Sequence, residues 1–152
     1  MSKGRRATLY IIKQFTNDYS NLVLKWRNSD FIRLNMKNKD LISKKDHEKW
    51  TANINKKFYY LFFSSKTPIG LGYFTDINVR DKSSYWGCYI GDASTPGIGA
   101  LLNLAIIKIG FEFLEQRKLY GEVLLTNRPA ILMQESFGFR LNDKYNNRGY
   151  KC

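Results

Sequence analysis

The residues of this chain that could do chemistry begin with a run around two glycines, Thr95-Pro96-Gly97-Ile98-Gly99-Ala100. Glycine lets backbone N–H groups come close to an anion, and a helix starting on such a run adds the partial positive charge of its N-terminus. The run therefore suits an anionic ligand held by main chain, although an ordinary turn into a helix would use the same residues. Two other phosphate loops are excluded. A dinucleotide-binding G-x-G-x-x-G would need glycine where Leu102 stands, and a Walker loop would need Gly-Lys-Ser/Thr. His47 is the single histidine, suited to proton transfer near neutral pH or to a satisfied structural place. The two cysteines, Cys88 and Cys152, have no metal-ligand spacing, so no metal site is expected. Cys88 lies in an apolar run with no cationic neighbour to depress its pKa, which argues against an acyl-carrying thiol.

These groups need a scaffold, and the apolar pattern supplies one. Thr8 to Ile12 is rich in β-branched and aromatic residues and reads as a strand. Asn21 to Asn35 reads as a helix with Leu22 and Trp26 on its apolar side. Ser43 with Asp46 resembles a capping box and opens a second helix to about Ile54. Phe58–Phe63, Ile69–Ile77 and Tyr85–Ile90 follow as three strands of an antiparallel meander. The character then changes: Ile98–Leu114 is a long apolar helix, Leu119–Leu125 a strand and Arg128–Phe137 a helix. A last strand is expected over Phe139–Tyr145, with a turn at Asn147-Arg148-Gly149. The order is β-α-α-β-β-β-α-β-α-β, an α/β (α+β) arrangement. The crossover through Ile98–Leu114 requires parallel strands on either side, which sets the glycine run at a strand-to-helix junction of a partly parallel sheet.

A length of 152 residues favours one domain, 1–152, and 43% apolar residues are enough to build its core. The net charge of +12 is spread along the chain. It points to an anionic partner, whether nucleic acid, a membrane surface or a phosphorylated small molecule, and argues against a polycationic substrate. No membrane span is expected, because the run from Leu101 to Phe113 is broken by Asn103 and Lys108. The apolar stretch Leu9–Ile12 is too short for a signal-peptide core. A cytoplasmic protein with reduced thiols is the expectation.

The glycine run gains weight from a second motif. Asn127-x-x-Ala130 and Glu135-x-Phe137-Gly138-Phe139 follow the crossover strand directly. Together the two motifs resemble the GNAT superfamily of N-acetyltransferases, whose hallmark is R/Q-x-x-G-x-G/A at the start of a long helix, then N-x-x-A-x-x-x-Y-x-x-x-G-F. Here the first reads Ser94-x-x-Gly97-x-Gly99, and the second runs from Asn127 through Ala130 and Gln134 to Gly138-Phe139. The resemblance implies a GNAT fold, a mixed central sheet of about six to seven strands flanked by about four helices, with acetyl-CoA as donor. It further implies that Thr95–Ala100 binds the CoA pyrophosphate through backbone amides and that Asn127, with Ala130 and Gln134, borders the pantetheine arm. Tyr89-Ile90-Gly91 would pair by main chain with the pantetheine amides, as an added strand would, and would supply an amide to the developing oxyanion. Two positions depart from the pattern. Ser94 stands where Arg or Gln is usual, and Gln134 stands at the tyrosine taken as general acid, where glutamine has no proton to give.

A narrower resemblance covers the first half. Leu24-Lys25-Trp26-Arg27-Asn28, Met36, Ile42-Ser43-x-x-x-His47-x-x-Trp50 and Tyr85-x-Gly87-x-Tyr89 are similar to the amino-sugar N-acetyltransferases of pseudaminic acid biosynthesis. Those enzymes acetylate the 4-amino group of a UDP-linked 4-amino-4,6-dideoxy sugar. The similarity implies Arg27 and His47 as contacts for a nucleotide diphosphate, and Met36, Trp50 and Tyr85 as flat apolar surface for uracil or sugar. It also implies Glu122 as the base, with His47 as second choice. Read from the residues alone, Trp26, Met36 and Trp50 suit a core equally well, and Glu122 suits a lysine ion pair. Trp-Arg-Asn also occurs in GNATs that acetylate protein N-termini, so a ribosomal-protein type N-terminal acetyltransferase is the second reading. A basic RNA-binding or inactive GNAT-like module is the third. No RNA-recognition signature is present, which argues against a nucleic-acid partner. The fold normally adds a strand after the hairpin at Asn146–Gly149, yet the sequence ends at Cys152. A vestigial strand, a truncated chain, or a homodimer formed at the open sheet edge would each account for that.

Overall fold

A computed structural model describes residues 8–92, 96–140 and 150–151. Ser94, Thr95, the expected strand beyond Arg140 and the turn at 147–149 lie outside the described residues. The chain forms β1 (Tyr10–Gln14), α1 (Ser20–Asn28), α2 (Asp30–Arg33) and α3 (Lys44–Asn53). The meander follows as β2 (Tyr59–Ser64), β3 (Thr67–Asn78) and β4 (Ser83–Ile90). Then come α4 (Ile98–Lys108), β5 (Lys118–Tyr120), β6 (Val123–Leu124), α5 (Arg128–Ser136) and β7 (Tyr150–Lys151). The main sheet has order β1-β2-β3-β4-β5, antiparallel through β4 and parallel between β4 and β5; β6 and β7 make a separate antiparallel pair. The mixed sheet and its crossover are thus as expected, with its seven described strands divided between five and two.

Three boundaries differ from the sequence pattern, two of them with local causes. The helix expected from Asn21 to Asn35 is cut at Ser29, whose backbone is extended and whose hydroxyl donates to the Trp26 carbonyl at 2.6 Å. A serine that bonds the preceding turn competes with the helix for its backbone groups. Ile98–Leu114 is α-helical only to Lys108 and closes in a π turn, Ile109–Phe113, with Gly110 pressed against Phe74 and Leu119. Leu119–Leu125 is two strands, because its first part pairs with β4 and its second with β7, leaving Gly121-Glu122 between them. The capping box stands: Ser43 Oγ accepts from the Asp46 N–H at 3.1 Å and donates to the Asp46 carboxylate at 2.7 Å.

The core lies on both faces of the sheet. Phe15, Val23, Trp26, Leu61, Phe63 and Leu71 fill the face covered by α1 and α3. Phe62, Phe74, Trp86, Ile98, Leu102 and Ile106 fill the face covered by α4. Ile98, Leu102 and Ile106 recur at helical spacing and are buried, so α4 lies flush on the sheet. Gly72 makes that closeness possible, since any Cβ there would run into the Ile106 side chain.

Candidate active site

The site forms where β4 and β5 part. Their parallel pairing ends at Tyr85 and Tyr120, while β4 continues to Ile90. On its other side β4 stays paired with β3, and the Gly91 N–H donates to the Ile69 carbonyl at 2.7 Å. Alternation along an antiparallel pair then directs the N–H groups of Tyr89 and Gly87 toward β3 as well. Those of Cys88 and Ile90 point the other way, into the gap that β5 leaves.

At the far end of that gap α4 begins. Gly97 has φ +80°, the left-handed region that favours glycine, and a Cβ there would touch nothing within 4 Å. With no side chain to cap the helix and no acid in its first turn, the N–H groups of Ile98, Gly99 and Ala100 lack intrahelical acceptors. They leave an end suited to an anion on an eleven-residue helix.

A cleft of about 800 Å³ runs through this region. Of the donor-side residues expected from the sequence, Tyr89, Ile90, Pro96, Gly97, Ile98, Gly99, Asn127, Ala130 and Gln134 line it. Gly91 and Ala100 do not, and Gly91 is packed against the Trp26 ring with its N–H used inside the sheet. The Asn127 side-chain oxygen caps α5 by accepting from the Ala130 N–H at 3.4 Å. Gln134 points its amide at the Gly121 backbone, beside the Trp86 indole nitrogen.

The acceptor-side residues divide. Met36, Tyr85 and Glu122 line the same cleft. Glu122 sits in the break between β5 and β6, half-exposed, with its carboxylate 3.9 Å from Lys37 Nζ across the opening. Arg27, His47 and Trp50 instead line a second cavity of about 340 Å³ between the α1–α3 layer and the sheet. The two cavities share Tyr73, Thr75 and Tyr89 as a common wall. In the second, Arg27 Nη1 is buried with no hydrogen-bond partner. His47 is buried: its Nε2–H donates to the Ser20 carbonyl at 2.8 Å, with the Ser20 hydroxyl 3.0 Å away, and its ring stacks on Trp50 at 5.2 Å. A carbonyl only accepts, so that bond fixes the tautomer. The imidazole therefore ties α3 to α1, in a different cavity from Glu122.

Two residues escaped the sequence reading. Tyr73 stands at the wall between the cavities, its hydroxyl 2.5 Å from where a Cβ on Gly87 would be. Burial, then the neighbouring Cys88, pushes its phenol up to about 12, so it keeps its proton at neutral pH. In the strand alternation it looks like core, and its one signal is the glycine opposite it in register. Phe31 lines the cleft with 69% of its surface exposed, an aromatic that a helix-face pattern assigns to solvent. Burial also pushes the Cys88 thiol up to about 12, in keeping with an inert cysteine. Among the described residues no cluster of His, Cys, Asp or Glu has metal-binding geometry, and no helix is long and apolar enough to cross a membrane.

Comparison with known proteins agrees with this architecture. The acetyltransferase (GNAT) domain family matches residues 12–152. Acetyltransferase PseH of Campylobacter jejuni is 31% identical over 139 residues, covering 88% of this chain and 86% of that protein. Among solved structures, a domain from Methanocaldococcus jannaschii superposes with a TM-score of 0.81 at 17% identity, over 95% of this chain and 96% of that one. The N-acetyltransferase PseH of C. jejuni in complex with acetyl coenzyme A gives 0.70 at 23% identity, over 94% of this chain and 95% of that one.

Proposed function

The chain belongs to the GNAT family of acetyltransferases, and on that premise we propose that it acetylates the 4-amino group of a UDP-linked amino-deoxy sugar. Acetyl-CoA is the acyl donor of the family, and the cleft fits it: an uncapped helix end for phosphate, an open strand edge for amides, and room for an extended chain. On this reading the reaction belongs to nonulosonic (pseudaminic) acid and surface-glycan biosynthesis in the cytoplasm.

One observation carries the proposal: the two cavities meet at Tyr73, Thr75 and Tyr89, and the smaller holds an unpaired guanidinium N–H. A buried unpaired donor is costly alone and becomes an asset when an anionic ligand arrives. That favours an acceptor carrying phosphate over a neutral or cationic amine, in line with the net charge of +12. In the proposed mechanism the amides of Ile98, Gly99 and Ala100 hold the pyrophosphate. The outward-facing N–H of Cys88 or Ile90 stabilises the developing oxyanion; within the expected stretch Tyr89–Gly91 the role falls to Ile90, because the amides of Tyr89 and Gly91 face β3. Glu122 takes the proton of the attacking amine, directly or through one water. Arg27 holds the acceptor diphosphate, and Met36, Trp50 and Tyr85 offer flat surface to its rings. His47 becomes a positioning residue for Trp50, since its Nε2–H is tied to Ser20.

The test is a panel of acceptors offered with acetyl-CoA: the UDP-4-amino-4,6-dideoxy sugar, a peptide with a free N-terminus, and spermidine. A mass gain of one acetyl group confined to the sugar is expected. Acetylation of the peptide with none on the sugar would overturn the acceptor and leave the family untouched.

A further inference from the structure

Gln134 leaves the departing thiol without the acid that the family pattern places there, and the structure offers something else at that point. Among the described residues five buried side-chain polar atoms lack a hydrogen-bond partner: Arg27 Nη1, Arg33 Nε, Ser84 Oγ, Trp86 Nε1 and Gln116 Oε1. Of those residues, Trp86 alone lines the large cleft. Its indole is 5% exposed and is held by Phe139, ring centroids 5.4 Å apart, so the N–H has a fixed direction. The indole nitrogen lies beside the Gly121 backbone. A methyl group on Gly121 would lie 3.3 Å from Trp86 Nε1, 3.3 Å from Gln134 Oε1 and 3.6 Å from Gln134 Nε2. Two side chains from different elements, β4 and α5, thus come together beside Gly121, close enough that a methyl group there would crowd both, and both line the cleft. The spot is one residue past the last β4–β5 pair, Tyr85 with Tyr120, at the apex of the opening.

We propose that the Trp86 indole N–H and the Gln134 amide N–H form a donor pair that stabilises the leaving thiolate of CoA without protonating it. The proposal rests on acetyl-CoA lying along the open edge of β4. Neither donor gives up a proton near neutral pH, so neither is a general acid. The balance is complete without one. The amine nitrogen bonds to the acetyl carbon and its proton passes to Glu122 or water. The C–S bond breaks with its electron pair staying on sulfur. The anion rests against the two N–H groups and takes a proton from solvent after release. Donors aimed where charge develops lower the barrier, and the Trp86 indole N–H is already desolvated.

Free CoA and desulfo-CoA, which lacks the sulfur, are the probes, because they require no knowledge of the acceptor. A site that favours thiolate lowers the thiol pKa of bound CoA, so affinity for CoA rises with pH up to the free thiol's pKa. Calorimetry from pH 7 to 9 should show CoA tightening roughly two- to sixfold relative to desulfo-CoA, the part below and around the free thiol's pKa of the tenfold limit that a shift of about one pKa unit sets. Trp86→Phe keeps the ring and removes the N–H, and it should abolish that rise while desulfo-CoA binds as before. Gln134→Leu should reduce it, and it serves as the test if Trp86→Phe does not fold. An identical pH response for CoA and desulfo-CoA in the unmodified protein, or a rise that survives both substitutions, would overturn the donor pair. Absence of binding by both ligands would instead overturn the placement of the cofactor itself.

Discussion

The two cavities on either side of Tyr73 and Tyr89 are built on opposite principles. In the larger the groups proposed to hold the ligand are main chain: the first-turn amides of α4, the open edge of β4, and glycine at 97. The smaller is made of side chains, Arg27, His47, Trp50 and Tyr59, held by ring contacts and by the bond from His47 to Ser20. A main-chain site needs only that a few backbone angles be kept, so the proposed donor site should tolerate Ser94 where the family motif has Arg or Gln. A side-chain site has no such tolerance. The difference teaches that the proposed donor site is written in backbone and the proposed acceptor site in side chains, and variants should separate the two.

The proposed base should show the largest effect. Glu122→Gln is expected to lower kcat about 100-fold or more while leaving acetyl-CoA affinity unchanged by calorimetry. Near-normal turnover at pH 7 to 8 with saturating substrates would remove Glu122 from the reaction. Gly97→Val comes next. A Cβ there would meet nothing within 4 Å, but a β-branched residue at φ +80° is strained, and shifting the α4 amides should weaken acetyl-CoA by roughly tenfold or more. Unchanged affinity would break the main-chain account of the larger cavity. Arg27→Met should raise the acceptor KM by roughly tenfold with acetyl-CoA binding intact. It should cost the fold nothing in urea denaturation, because it removes a buried unpaired N–H. His47→Ala should show the smallest catalytic effect, a kcat per folded molecule within about twofold, with a stability loss of about 1–3 kcal/mol from the lost bond to Ser20. A hundredfold loss of kcat in a folded His47→Ala protein would return the histidine to the chemistry.

The same contrast explains what could be read in advance. The meander, the crossover and the glycine junction were legible because period-two alternation, β-branched runs and a glycine pair are local signals. The capping box at Ser43 and Asp46 was legible for the same reason. The cut at Ser29 rests on a local hydroxyl bond that apolar periodicity does not register, and the break at Gly121-Glu122 depends on two strands pairing with two different partners. On the donor side nine of the expected residues meet in one cleft, since motif spacing fixes them on β4, α4 and α5. On the acceptor side spacing along α1 and α3 could not say that His47 turns to Ser20. Nor could it say that Tyr73, on a strand that reads as core, stands between the cavities.

The central claim is that acetyl-CoA lies along the main-chain cavity, and amide hydrogen exchange with and without saturating acetyl-CoA tests it most directly. The account predicts slowed exchange at Ile98, Gly99 and Ala100 and at Cys88 and Ile90, with little change at His47 and Thr51 on α3. Protection on α3 with the α4 amides exchanging as before would contradict it.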